Sequence, residues 1–370
     1  MWRLLVKGVD GPELPRFARP RRWAPHHDAR VALTSAGTAV MGTGIVSIAL
    51  ARDGREALSS ALLAVAGIVW VAAAVLLLAS VWTSRRCARG ISPLALTSVA
   101  ATAVLGSSLA GRGWDSLALA LLATAAALWL TLIVPALRSS DPSRSTAALM
   151  LPVATQALAT VCAELGAIES LRWLVLVALA AFAAGLTLYA FAIARFALRQ
   201  LVVARGEHWV AGGALAVSSL AASRTIGAAE RLGIGADVAT ALKVTLVAVS
   251  IAAFAWLAVL IVAELLAPRL RYDAQRWSTV FPIGMYAACG FATGATLHVS
   301  AITEFARVWV WVALAVWVTT LAGAVRAAAS PRRIARAHRR GSAPTGLHSA
   351  RRSASWGGRR DRRRTRPSAR

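Results

Sequence analysis

An all-α integral membrane fold with about ten transmembrane helices is what this sequence predicts, on three observations. The chain of 370 residues is 58% hydrophobic and only 15% charged, with a mean hydropathy of +0.61. That is more apolar surface than a soluble domain can bury. Ten apolar stretches follow one another, each near the ~20 residues a helix needs to cross a hydrocarbon core of roughly 30 Å. The breaks between them alternate between strongly basic and charge-balanced.

The spans are expected near 32–51, 59–81, 92–111, 114–137, 147–165, 171–194, 208–227, 237–263, 277–297 and 305–326. This leaves an N-terminal segment of 1–31, a transmembrane domain of 32–326 and a tail of 327–370. With the N-terminus cytoplasmic, the inner segments hold Arg16 to Arg30, then Arg85, Arg86 and Arg89, then Arg138 and Arg144, then Arg195, Arg199 and Arg205, then Arg269, Arg271 and Arg276. The outer loops pair Arg52 and Arg55 with Asp53 and Glu56, Arg112 with Asp115, Arg172 with Glu169, and Arg231 with Glu230 and Asp237. This positive-inside pattern predicts a multi-pass protein of the plasma membrane with both termini cytoplasmic, which requires an even number of spans.

The formal net charge of +25 lies mostly in the tail and the inner loops, so it reads as orientation and not as a nucleic-acid surface. Residues 327–370 are rich in Arg, Ser, Gly and Pro and are expected to be disordered. They serve either as a solvated basic tail or as an attachment to anionic membrane lipid. Cys87, Cys162 and Cys289 show no disulfide or zinc spacing, and no metal or cofactor is expected. Pro12, Pro15, Pro20 and Pro25, dotted among arginines, argue against a cleaved signal sequence.

The spans fall into two kinds. The first, third, seventh and ninth are rich in Ser, Thr and Gly, as in Thr34, Ser35, Gly37, Thr38, Gly42, Thr43, Gly44 and Ser47 of the first. The even spans are mostly Ala, Leu, Val and Trp. Helix breakers follow the same division, with Pro152 in the fifth span, Pro282 in the ninth and Gly212 beside Gly213 in the seventh; Pro135 is the exception in an even span. Small residues permit close backbone approach, and a broken helix survives in lipid where protein or a water-lined cavity satisfies its carbonyls. An inner ring of five odd helices within an outer ring of five is therefore expected. Ordinary small-residue packing, as at Gly290 and Gly294, accounts for the same residues one at a time.

The central parts of the odd spans carry no Asp, Glu, Lys or Arg; Arg224, near the outer end of the seventh, comes closest. A neutral, hydroxyl-lined path follows, with Gln156 the most polar group at depth or else an inter-helix hydrogen bond. Lys243, on an even span, is expected to snorkel to the interface. No nucleophile–base pair or carboxylate pair lies at membrane depth: His26, His27, His208, His298, His338 and His348 are all at span ends or in the terminal segments, which argues against an enzyme.

Four segments carry a resemblance. Met41-Gly42-Thr43-Gly44 in the first span, Leu151-Pro152-Val153-Ala154-Thr155-Gln156 in the fifth, Trp209 with Gly213-Ala214 in the seventh, and Trp277-Ser278-Thr279-Val280-Phe281-Pro282-Ile283-Gly284-Met285 in the ninth resemble the tellurite-resistance/dicarboxylate transporter family. That family includes bacterial TehA, fungal malate permeases and sulfite pumps, and plant slow-type anion channels. The resemblance runs from about Thr34 to about Val325. It implies five helical hairpins around a central pore, a homotrimer, and a phenylalanine gate on the ninth span, where Phe281 stands before Pro282. It implies transport of a small anion, either a C4-dicarboxylate such as malate or an inorganic anion.

A sulfite or tellurite-related efflux carrier coupled to protons is the alternative, with Glu164, Glu169, His298 and Glu304 as its titratable candidates. Residues and resemblance together place Gly42, Thr43, Gly44, Pro152, Gln156, Gly212 and Gly213 along the pore. Gly212 stands where relatives often carry Met.

Overall fold

The computed structural model describes residues 25–83, 95–138, 145–195, 207–266 and 272–329. Expectations resting on the first 24 residues, on Arg85, Arg86, Arg89, Arg144, Arg199, Arg205, Arg269 and Arg271, on Cys87, and on the tail from residue 330 lie outside them. Ten long helices make up the described chain: α1 Pro25–Arg52, α2 Glu56–Thr83, α3 Leu96–Ala110, α4 Asp115–Arg138, α5 Ser145–Ile168, α6 Arg172–Ala194, α7 Glu207–Arg231, α8 Ala236–Leu266, α9 Trp277–Leu297 and α10 Ser300–Ala329. A 3₁₀ turn, Ala274–Arg276, leads into α9. Helix α1 starts ahead of the expected span, at Pro25, whose fixed φ suits the first helical position. α10 likewise begins at Ser300, before its apolar run.

Five tight turns join each odd helix to the even helix after it, and all five share one geometry. A left-handed residue ends the odd helix: Gly54, Gly113, Ser170, Gly233 and His298, with φ between +55° and +75°. The residue after it returns its N–H to the carbonyl five positions back, in Arg55→Leu50, Trp114→Leu109, Leu171→Gly166, Ile234→Ala229 and Val299→Gly294, at 2.9 to 3.1 Å. This is the Schellman closure, which satisfies a carbonyl that the helix end would otherwise leave unpaired. Its fivefold recurrence is an internal repeat that the side chains alone do not display.

The odd helices contact one another in the cyclic order α1, α3, α5, α7, α9 and back to α1, and α2, α4, α6 and α8 each pack on the odd helix preceding them. α10 packs on α9, where a Cβ at Gly290 would lie 2.9 Å from that of Ala306. Indole N–H groups link each of three outer helices to the inner helix that follows in the cycle: Trp70 to Thr102 Oγ1, Trp129 to Thr155 Oγ1 and Trp317 to Thr43 Oγ1, each at 2.9 Å.

Burial separates the two sets. In their most apolar stretches α5 and α9 are 89% and 83% buried, whereas α2, α4, α6, α8 and α10 are between 11% and 33%. Those five, with α5 and α9, are the seven helices long and apolar enough to cross a membrane; over the described residues α1, α3 and α7 do not reach that combination. They are inner helices surrounded by protein, so they need not match lipid. α7 can hold Ser218 and Thr225 because their hydroxyls donate to the carbonyls of Ala214 and Ala221, at 2.8 and 2.7 Å.

Candidate functional site

A small cavity lies where the five inner helices meet. It is lined by Ile45 and Ile48 of α1, Val104 and Ser107 of α3, Ala157 and Thr160 of α5, Val217 and Leu220 of α7, and Met285 of α9. The cavity volume is about 10 Å³, room for about one water. Two hydroxyls reach it, and that of Thr160 donates to the Gln156 carbonyl of its own helix at 2.9 Å. The wall is otherwise hydrocarbon, and such a constriction resists wetting.

Phe281 stands one turn before Met285 on α9, toward the start of that helix, and is 1% exposed. Gly213, one turn before the cavity-lining Val217, leaves the room its ring occupies: a Cβ there would lie 3.3 Å from Phe281 Cε1 and 3.0 Å from Pro282 Cγ. On the other flank of α9, Gly42 of α1 admits the same segment, with its absent Cβ 3.2 Å from Val280 Cγ1 and 3.4 Å from the Phe281 nitrogen. Gly42, Gly213, Phe281 and Pro282 are thus brought together. Gly44 is packed against Val104, 2.7 Å from an added Cβ, and Pro152 is buried within α5.

Three of the residues expected on the path make contacts with outer helices. Thr43 accepts the Trp317 indole N–H from α10. Gln156 donates to the Phe182 carbonyl of α6 at 3.1 Å and fills the space left by Gly185. Gly212 abuts Leu260 and Trp256 of α8 and the Tyr286 hydroxyl. The reason is common to all three: a polar group or a gap between helices in lipid finds its partner on the nearest helix, so it marks a helix contact. The residues that do line the cavity are mostly ordinary aliphatic side chains. Only the rotation of each helix, invisible in composition, singles them out.

At the ends of α1, α5 and α7 the surroundings become charged. Arg224 Nε lies 2.9 Å from Glu164 Oε1, with both side chains largely covered. Glu164 Oε2 is buried with no hydrogen-bond partner among the described residues. Lys243 extends from α8 to Glu230 of α7 at 2.7 Å, an exposed pair where snorkelling alone was expected. Toward the other end, Trp209 donates to Glu264 Oε2 at 3.2 Å, and Arg276 approaches the same carboxylate at 3.6 Å, tying α7 and the start of α9 to α8. Cys162 and Cys289 are buried and free, and no group of metal-binding side chains occurs among the described residues.

Long apolar helices with buried, small-residue-rich inner members define a multi-pass helical membrane protein. Residues 34–325 match the SLAC1 family, described as voltage-dependent anion channel, and the chain belongs to that family. The family is one of anion transport through a membrane channel. Similarity of 43% identity over 51 residues is shared with the uncharacterized membrane proteins MT1776 and Rv1735c of two Mycobacterium tuberculosis strains. It covers 14% of this chain and 26% of each of theirs, so the match spans about a quarter of those relatives.

Proposed function

We propose that the five odd helices, as the inner members of five hairpins, enclose a path for small anions, and that Phe281 with Pro282 is its gate. The observation that carries this reading is the cavity to which every odd helix contributes, with Phe281 one turn away on the same helix as Met285. An anion stripped of water between hydrocarbon side chains meets several kcal/mol of barrier with no cation beside it. Pro282 has no N–H, so it leaves a carbonyl of the preceding turn without its helical bond and softens the helix at the ring.

The substrate is a C4-dicarboxylate such as malate, or an inorganic anion of similar girth. The protein works as a homotrimer in the plasma membrane with both termini cytoplasmic, so single cysteines at Gly54 and Gly90 label from opposite sides. In proteoliposomes Phe281→Ala should raise anion flux by about tenfold or more, equivalent to removing about 1.4 kcal/mol of barrier. Phe291→Ala, elsewhere on α9, should not. Loss of a buried ring costs about 3–5 kcal/mol of stability, so elution as a single species accompanies the flux measurement. A well-folded Phe281→Ala protein with unaltered flux would reduce Phe281 to a packing residue.

A proton-coupled sulfite or tellurite-related carrier is the second reading, favoured by Glu164, a carboxylate at the end of the cavity-lining face whose Oε2 is buried with no hydrogen-bond partner among the described residues. Uphill anion movement driven by an imposed pH step would select it over a channel.

A further inference from the structure

Three charged side chains continue the face that lines the cavity. Arg52, Glu164 and Arg224 stand seven and four residues after Ile45 and Ile48, Ala157 and Thr160, and Val217 and Leu220 respectively. On an α-helix position i+7 returns to within roughly 20° of position i, so all three project on the cavity's side, about one turn further along. The helices that carry them end at the same face of the protein, in the turns at Gly54, Ser170 and Gly233.

The three side chains act on one another. Arg224 is paired with Glu164 at 2.9 Å. The Arg224 cation, and after it partial burial, hold the Arg52 guanidinium below its usual range, against the favourable charges of Glu164 and Glu56. One guanidinium, that of Arg224, holds the Glu164 carboxylate, and a second, that of Arg52, stands on the same side of its helix at the end of an otherwise neutral cavity. Of the other arginines at this face, Arg112 donates to the Ser108 carbonyl and to Ser59 Oγ, and Arg55 approaches Asp53 and lies over the Trp311 ring; Arg172, at the start of α6, is exposed. Arg52 makes no hydrogen bond or ion pair among the described residues and is open to solvent.

We propose that Arg52 and Arg224 form an anion-capture site at this end of the path, with Glu164 as a resident carboxylate whose place on Arg224 an incoming carboxylate takes. The proposal rests on the reading of the cavity as an anion path and narrows its substrate class. A guanidinium offers a planar fork of N–H donors that matches the two oxygens of a carboxylate, whereas a halide meets it only as a point charge. The site therefore favours carboxylates and other planar oxyanions over chloride. Displacing Glu164 and not an empty shell keeps the capture weak enough for release, as conduction requires.

The test uses detergent-purified full-length protein with succinate as the probe and chloride at equal ionic strength as the comparison. Succinate should raise the unfolding temperature more than chloride does. Arg52→Gln, and separately the double change Glu164→Gln with Arg224→Gln, should each weaken succinate binding by about tenfold, the worth of one charge-assisted hydrogen bond. The double change leaves no unpaired buried charge, so its folding is preserved. Glu164→Gln alone should tighten succinate binding by freeing Arg224. In proteoliposomes the weakened variants should raise the half-saturating succinate concentration.

Succinate affinity unchanged in the well-folded Arg52→Gln and double variants, or a chloride response equal to that of succinate, overturns the site. Arginine-dependent succinate binding in a protein that passes no anion would instead overturn the path reading and leave the site standing.

Discussion

Helices α5 and α6 are joined by a turn of three residues, and they solve opposite problems. The most apolar stretch of α5 has a mean hydropathy of 1.5 and is 89% buried; that of α6 reaches 2.3 and is 33% buried. α5 carries Pro152, Thr155, Gln156 and Thr160, each covered by neighbouring protein. Its hydroxyls are satisfied locally, Thr155 donating to the Leu151 carbonyl and Thr160 to that of Gln156, both at 2.9 Å. α6 presents Leu176, Val177 and Phe191 outward. Hydropathy in this protein therefore reports what surrounds a helix, lipid or protein. The helices that form the candidate path are the less apolar ones because protein covers them, and neighbouring helices bond to polar side chains, as Trp129 does to Thr155 and the Phe182 carbonyl to Gln156.

Four substitutions can break or sharpen that contrast, all read as the unfolding temperature of the detergent-solubilised protein. The largest effect is expected at Gly290, where an added Cβ would lie 2.9 Å from Ala306 Cβ with helix backbone behind it. Gly290→Ala should destabilise by about 1–3 kcal/mol, the cost of overpacking. On the outer helix α2, Gly67 has nothing within 4 Å of the same added atom, and Gly67→Ala should be neutral or slightly stabilising.

A smaller loss is expected at Ser47. Its hydroxyl donates to the Ser59 carbonyl at 2.7 Å, and Ser59 returns the bond to the Ser47 carbonyl at 2.7 Å, which clamps α1 to α2. Ser47→Ala should cost about 0.5–1.5 kcal/mol, and a neutral result would mean that the clamp is satisfied otherwise. The smallest effect belongs to the lipid-facing surface. Ile68, 70% exposed on α2, gains nothing from protein packing, so Ile68→Val should stay within about 0.5 kcal/mol.

Much of this architecture was legible in the sequence, because length, hydropathy and breaker residues are local quantities. The ninth span, expected over 277–297, is α9 to the residue. The inner position of the small-residue-rich helices followed from Gly and Ser spacing, and Gly290 and Gly284 show why: an added Cβ at Gly284 would lie 2.9 Å from Ile45 Cγ2. The lining of the cavity was not legible. Thr43 and Gln156 were expected on the path because they are polar at depth, yet polarity at depth is what an outer helix binds, through Trp317 and the Phe182 carbonyl.

Ile45, Val104 and Val217 line the cavity without any compositional mark. A 3.6-residue period applied outward from Phe281 to Met285 would have found one strip of the wall, but not the rotation of the other four helices. Glu164 and Arg224 were visible as charges near span ends; their alignment with Thr160 and Leu220 needed the structure.

The central claim is that the cavity side of the inner helices, and not their polar positions, faces the moving anion. It is tested most directly in the Phe281→Ala protein with Cys87, Cys162 and Cys289 replaced, carrying one new cysteine at a time and treated with a thiol reagent that adds a bulky charged group during anion flux. Cysteine in place of Thr160 or Leu220 should let the reagent cut flux by well over half, while cysteine in place of Thr43, which faces Trp317, or of Ile68, on the outer surface, should leave flux unaltered. Block at Thr43 equal to that at Thr160, or no block at Thr160 and Leu220 in well-folded protein, would contradict the assignment of this cavity as the anion path.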